Sequence, residues 1–143
     1  MARFSYATNG GSDTVAGFSI TATGTRSSVG AAVAAGTTPS HLSVDPTGCF
    51  VYVTKPLVGY CLWLHDQPGR GALTLLSTTS VNATALAFDP MGRFLYSANF
   101  SDTVHGYPID AVTGALGSLS ASNLLGVNID PQSIIMVSTL LAP

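Results

Sequence analysis

The chain has 143 residues, a mass of 14.6 kDa and a formal net charge of -2, which is room for one compact domain and too little for separate catalytic and binding domains. Only 8% of the residues are charged and all seven acids are Asp; without Glu there is no His-Glu zinc-protease helix, no EF-hand loop and no Glu-based acid/base pair. Four Arg and one Lys are too few to track phosphates, so no nucleic-acid partner is expected.

Mean hydropathy is +0.40, yet the apolar residues never run for the roughly 18 positions a membrane helix needs, so no membrane partner is expected. Met1-Ala2-Arg3-Phe4 enters patterned sequence at once, with no apolar signal core. A cytoplasmic location is therefore expected, with Cys49 and Cys61 as free thiols.

In chain order, an aromatic-x-aromatic strand signal recurs as Phe4-Ser5-Tyr6, Phe50-Val51-Tyr52 and Phe94-Leu95-Tyr96, at spacings of 46 and 44 residues. Ahead of the second and third copies stand Asp45-Pro46-Thr47-Gly48 and Asp89-Pro90-Met91-Gly92, each a tight turn between two strands. A fainter Asp130-Pro131-Gln132-Ser133 lacks the glycine. A polar turn and a further strand follow the aromatics, as Ser12-Asp13-Thr14-Val15 and Ser101-Asp102-Thr103-Val104, whereas the second copy has Lys55-Pro56-Leu57-Val58-Gly59. Gly71-Ala72-Leu73 and Gly114-Ala115-Leu116 then open a weaker fourth strand. Short strands and frequent turns predict an all-β chain of three four-stranded repeats, 4–49, 50–93 and 94–137, within one unit.

Asp89 to Asn99, Ser101-Asp102-Thr103-Val104, Ile109-Asp110 and Thr113 to Leu116 resemble the YVTN-type repeat of the lactonase (6-phosphogluconolactonase-like) β-propeller family. The resemblance implies propeller blades whose innermost strand ends in Asp-Pro-x-Gly, with the aromatic strand second and the Thr-Val strand third. On that mapping the chain opens on a second strand and ends on an inner strand around Val127–Asp130, with a degenerate second strand over Ile134–Val137. Three blades do not close around an axis and would leave sheet edges open, so a homodimer completing a six-bladed ring is expected, Val127–Asp130 pairing with Phe4–Thr8 of the other copy; the alternative is that these residues are a fragment of a longer propeller.

A propeller places ligand sites at its axial mouth. The resemblance assigns that mouth two sets of loops: 9–13, 55–59 and 99–102 between second and third strands, and 36–41, 80–84 and 122–126 leading to inner strands. Antiparallel alternation sends His41, Lys55, Asp13 and Asp102 to this rim and Asp45, Asp66, Asp89 and Asp110 to the other. His41, in Thr38-Pro39-Ser40-His41, resembles the Pro-x-His of lactonase-type propellers; its counterparts are Ala85 and Gly126. An imidazole titrates near neutrality and serves as a general base. His41, Lys55 and Asp102 are thus the candidate catalytic residues, and Asn9, Asp13, Asn99 and His105 the candidate ligand contacts. The expected function is a lactonase or esterase acting on a small ester, lactone or phosphoester; the alternative is a non-catalytic binding or scaffold module. No cofactor is expected. Its alternative is a calcium ion in the axial channel, with Asp13, Asp102 and Asn128 as oxygen donors.

Overall fold

The computed structural model describes residues 3–55, 59–66, 71–81, 83–100, 103–118, 121–124 and 133–136, with backbone alone for 60–63, 65–66 and 121–124. Among these residues there are eleven strands in three antiparallel sheets and no helix. The first sheet has the order β1 (Arg3–Asn9), β2 (Thr14–Ile20), β3 (Arg26–Ala34). The second runs β4 (Leu42–Val44), β5 (Phe50–Lys55), β6 (Tyr60–Asp66), β7 (Leu73–Ser80), and the third β8 (Ala85–Phe88), β9 (Phe94–Ala98), β10 (Thr103–Pro108), β11 (Ala121–Leu124). The first sheet thus begins on the aromatic strand and has three strands rather than four among the described residues. Val127–Asp130, the segment expected to pair along it, lies outside them.

Each Asp-Pro-x-Gly turn is closed by its own aspartate. The Gly48 N–H donates to the Asp45 carbonyl at 2.9 Å, and the Asp45 carboxylate accepts from the N–H groups of Thr47 and Phe50 at 3.0 and 2.7 Å. At the equivalent turn the Asp89 carbonyl accepts from Gly92 N–H at 2.8 Å, and its carboxylate accepts from Met91 N–H and the Arg93 guanidinium. These buried carboxylates are therefore satisfied, and they brace the step from inner to second strand.

Alternation along β5 builds both internal interfaces. Val51 and Val53 join Leu64 in a cluster with Val15 and Ala35 of the first unit, while Phe50 and Tyr52 join Val81, Ala83, Leu95 and Tyr107 toward the third sheet. The middle sheet is apolar on both faces, which is why Phe-Val-Tyr-Val reads as a continuous run; each fully buried aliphatic contributes about 1.5–3 kcal/mol. The rings of Phe4 and Phe50 press onto Gly71 and Gly114 of the following sheet. A Cβ on Gly114 would lie 2.5 Å from Phe50 Cδ1, and Gly114 has φ +71°, so nothing but glycine fits. Tyr52 completes this seat by donating its hydroxyl to the Gly114 carbonyl at 2.6 Å.

Three expectations are corrected here. Gly114-Ala115-Leu116 does not open a regular outer strand: Leu116 makes a single bridge to Ile109, and the fourth strand begins at Ala121. Ile109 N–H donates inward to the Arg93 carbonyl at 2.9 Å, so by alternation the N–H that Pro108 lacks would have faced the outer strand, and the ladder breaks there. Ser122, Asn123 and Leu124 consequently belong to β11 and not to a loop approaching an inner strand. Residues 133–136 form no strand, in keeping with the lost turn glycine before them. Among the described residues no helix is long and apolar enough to cross a membrane.

Candidate functional site

The connector from β3 to β4, residues 35–41, is held from three sides. Ala35 is fully buried and donates its N–H to the Asp13 carbonyl at 2.8 Å, in the turn between β1 and β2. The Asp13 carboxylate reaches back to accept the Thr38 N–H at 2.8 Å. On the other flank, Ser40 N–H donates to the Thr54 carbonyl at 3.0 Å, Thr54 N–H donates to the His41 carbonyl at 2.8 Å, and His41 N–H reaches Thr54 Oγ1 at 3.3 Å. Thr8 Oγ1 donates to the Ser40 carbonyl at 3.1 Å.

Asp13 and Thr38, which this contact joins, are the two non-glycine residues with positive φ among the described residues, at 56° and 49°. Aspartate tolerates that region; a β-branched threonine there is an outlier whose cost of about 1–3 kcal/mol the surroundings must offset. The Thr38 hydroxyl is also buried without a hydrogen-bond partner. Lys55 closes the arrangement: its Nζ lies 2.9 Å from where a Gly36 Cβ would stand, and Gly36 has φ +68°. His41 is exposed, and its imidazole makes no hydrogen bond among the described residues.

Asp13 and Lys55 therefore both reach one connector between the first two sheets, at Thr38 and Gly36, and His41 stands at its end. Asp102 lies outside the described residues. Asn9 and Asn99, repeat equivalents of Lys55, tie down their own hairpins: Asn9 Nδ2 donates to Thr14 Oγ1 at 3.2 Å, and the buried Asn99 Oδ1 accepts from the Thr103 hydroxyl at 2.7 Å. His105 Nε2 lies 2.8 Å from Thr103 Oγ1 and 3.4 Å from Asn99 Nδ2, and its ring stacks at 20° and 6.4 Å on Tyr107. Asn99 and His105 thus form a second cluster, on the third sheet. The lysine that replaces asparagine accepts the Gly59 N–H on its carbonyl at 3.0 Å and brings its Nζ to Gly36. Sequence reasoning missed Thr38 and Thr54. The first is marked by backbone geometry and the second by contacts across strands, and neither leaves a trace in residue type.

At the other rim the Asp45 and Asp89 turns are neighbours, a Cβ on Gly92 falling 3.5 Å from Pro46 Cδ. Ile109 reaches Arg93 there and so places Asp110 beside them. Among the described residues no three His, Cys or acidic side chains gather to hold a metal. Of the three oxygen donors considered for calcium, Asp102 and Asn128 lie outside the described residues and Asp13 already accepts from Thr38.

Four-stranded antiparallel sheets stacked face to face, each ending its inner strand in an Asp-Pro turn, define blades of a β-propeller. Residues 1–79 match the family described as lactonase, seven-bladed β-propeller, and the chain belongs to that family. The fold is similar to that of a candidate 6-phosphogluconolactonase of Bacteroides fragilis, at 20% identity over 91% of this chain and 37% of that one, with a TM-score of 0.81. The periplasmic gluconolactonase of Pseudomonas aeruginosa is similar at 24% identity over 87% of this chain and 37% of that one, TM-score 0.74. A functionally unknown protein of Desulfotomaculum acetoxidans shares 25% identity over 90% of this chain and 44% of its own, TM-score 0.73. The chain thus spans about two fifths of these relatives. No match was found among curated proteins. The family's seven blades stand against the six of the expected two-copy ring.

Proposed function

We propose that the chain supplies the reacting rim of a lactonase-type hydrolase, opening a small cyclic ester at the axial mouth of an assembled ring. The observation that carries this reading is a connector that ends in His41, is bonded by Asp13 and touched by Lys55, and is held at Thr38 in an unfavourable backbone conformation. Strain of this kind is retained where the surroundings fix a functional geometry. Membership of the lactonase family supports the reaction class.

In this reading the His41 imidazole takes a proton from water as the water oxygen bonds to the lactone carbonyl carbon. The Lys55 ammonium stabilises the negative charge that develops on the carbonyl oxygen. The ring C–O bond then breaks, His41 returns the proton to the departing alkoxide, and a hydroxy acid leaves. Asp102 orients the water, and Asn9, Asp13, Asn99 and His105 line the approach. The same groups would serve an open-chain ester, or a phosphoester whose anion faces Lys55.

Purified protein should hydrolyse a six-membered sugar lactone, and His41→Ala should lower kcat by about 10²–10⁴-fold with unchanged circular dichroism. Full turnover by that variant would overturn the assignment. The exposed His41 ring, without an orienting partner among the described residues, favours a second reading, a binding module. That reading predicts calorimetric binding of the lactone with no release of acid.

A further inference from the structure

At the end of β1, Asn9 is followed by Gly10, the one Asn-Gly pair in the sequence. The other asparagines, at 82, 99, 123 and 128, precede Ala83, Phe100, Leu124 and Ile129, each of which carries a Cβ beside its backbone nitrogen. The fold does not demand the glycine. Gly10 is not among the residues with positive φ, and a Cβ added to it would meet only the Pro39 carbonyl, at 3.7 Å, an ordinary contact.

The groups that could react at this pair are uncommitted. Gly10 is exposed, and its N–H makes no hydrogen bond among the described residues. That freedom belongs to the repeat and not to the edge of the three-sheet unit. Phe100, the equivalent of Gly10 in the third repeat, has both an inner strand and a preceding sheet beside it, yet it is 49% exposed and its N–H is likewise unbonded. The second repeat has Pro56 at this position, which carries no N–H. The Asn9 carboxamide donates from Nδ2 to Thr14 Oγ1 at 3.2 Å, while its Oδ1 accepts no hydrogen bond among the described residues. Asn99 is the contrast: it is 4% exposed, and its Oδ1 accepts from both the hydroxyl and the N–H of Thr103, at 2.7 and 3.3 Å.

We infer that Asn9 is a site of spontaneous covalent modification, at which the carboxamide is lost as ammonia and position 9 becomes a mixture of aspartate and isoaspartate. The Gly10 backbone nitrogen gives its proton to hydroxide and bonds to Asn9 Cγ. The Cγ–Nδ2 bond breaks, Nδ2 takes a proton from water and leaves as ammonia, and a cyclic imide closes. Water then adds to one of the two imide carbonyls. Cleavage at Cγ restores the ordinary peptide bond with an aspartate side chain, whereas cleavage at the main-chain carbonyl leaves the backbone running through Cγ, longer by a methylene. One water is consumed and one ammonia released, with no oxidant or reductant. Either product removes the donor that Asn9 offers Thr14, and the isoaspartyl form lengthens the turn in which Asp13 holds the N–H groups of Ala35 and Thr38. Modification therefore loosens the connector that ends in His41. The chemistry itself does not depend on the hydrolytic reading.

Incubation of the folded 143-residue chain at mildly alkaline pH, followed by peptide mass spectrometry, tests this. Asn9 should convert at least about tenfold faster than Asn99 in the same sample, because a Cβ shields the nitrogen of Phe100 and none shields that of Gly10. The product should resolve into aspartyl and isoaspartyl peptides, and the rate should rise with pH, since the attacking nitrogen must lose its proton. Gly10→Ala fits the turn and should slow conversion at least about tenfold with unchanged circular dichroism. Asn9→Gln, whose longer side chain closes a larger ring, should abolish the ammonia released from this position and serves if the alanine variant folds differently. An Asn9 that stays intact in the folded protein, or ammonia release indifferent to both substitutions, would overturn the inference. Urea midpoints of fresh and aged samples test the consequence: the aged chain should unfold at lower urea, and equal midpoints would overturn the loosening of the connector.

Discussion

At Asp89 two opposing effects meet, and the hydrogen bonds win. Burial, the largest single influence, raises the carboxyl pKa by penalising its charge. The Met91 N–H, the Arg93 guanidinium and the Gly92 N–H together hold it below the usual value of 3.8. Asp110 is lowered as well, first by the Thr113 N–H, then by the Thr113 hydroxyl and the Val112 N–H, against a smaller desolvation. Both groups have a folded pKa depressed below the unfolded one. Their stabilisation is complete above about pH 4 and is lost as pH falls through the folded values. Urea midpoints should therefore drop as pH falls below about 4, and Asp89→Asn should flatten that slope while lowering stability at pH 7. An unchanged acid slope in the variant would show that the turn carboxylate is uncoupled from folding. At this same scale the candidate site is only partly legible in sequence. Antiparallel alternation places Asp13, Lys55 and His41 at one rim, but the positive φ of Thr38 arises from its tether to Asp13 and from its flanking strands, and the name of the residue argues against it.

Between elements, the decisive unit is a ring on a glycine. Gly114→Ala meets Phe50 Cδ1 at 2.5 Å and adds a Cβ at φ +71°, so the second and third sheets must part or the backbone must shift. Overpacking and the left-handed conformation together should cost about 2–4 kcal/mol, read as a lower urea midpoint. The equivalent change at Gly24 meets open space and should cost about 1–2 kcal/mol, for its conformation alone. Equal losses at the two positions would show that the contact with Phe50 contributes nothing. Strand identity is legible wherever the signal is local: the aromatic pairs and the Asp-Pro-x-Gly turns mark β5 and β9, together with the step into them. The outer strand of the third sheet is not legible from local pattern. Its delay to Ala121 follows from which edge of β10 the missing N–H of Pro108 would face, and that depends on ladder phase rather than composition.

For the whole molecule, the chain spans about two fifths of the length of the lactonase-fold relatives. The reacting rim proposed around residues 35–41 has a far wall only when further sheets stand across the axis of the ring. If the ring of the proposed hydrolase is assembled from two copies, that wall comes from the second, while His41, Lys55 and Asp13 come from a single chain. Specific activity per chain should then fall as protein is diluted through its association range. The reduction should appear mainly in KM, because the missing wall binds substrate without touching the groups that exchange protons. Measuring initial rates over a hundredfold range of enzyme concentration, alongside sedimentation of the same samples, decides the point. Activity per chain that stays constant while the copies separate would place the entire site on one three-sheet unit and remove the shared mouth from the mechanism.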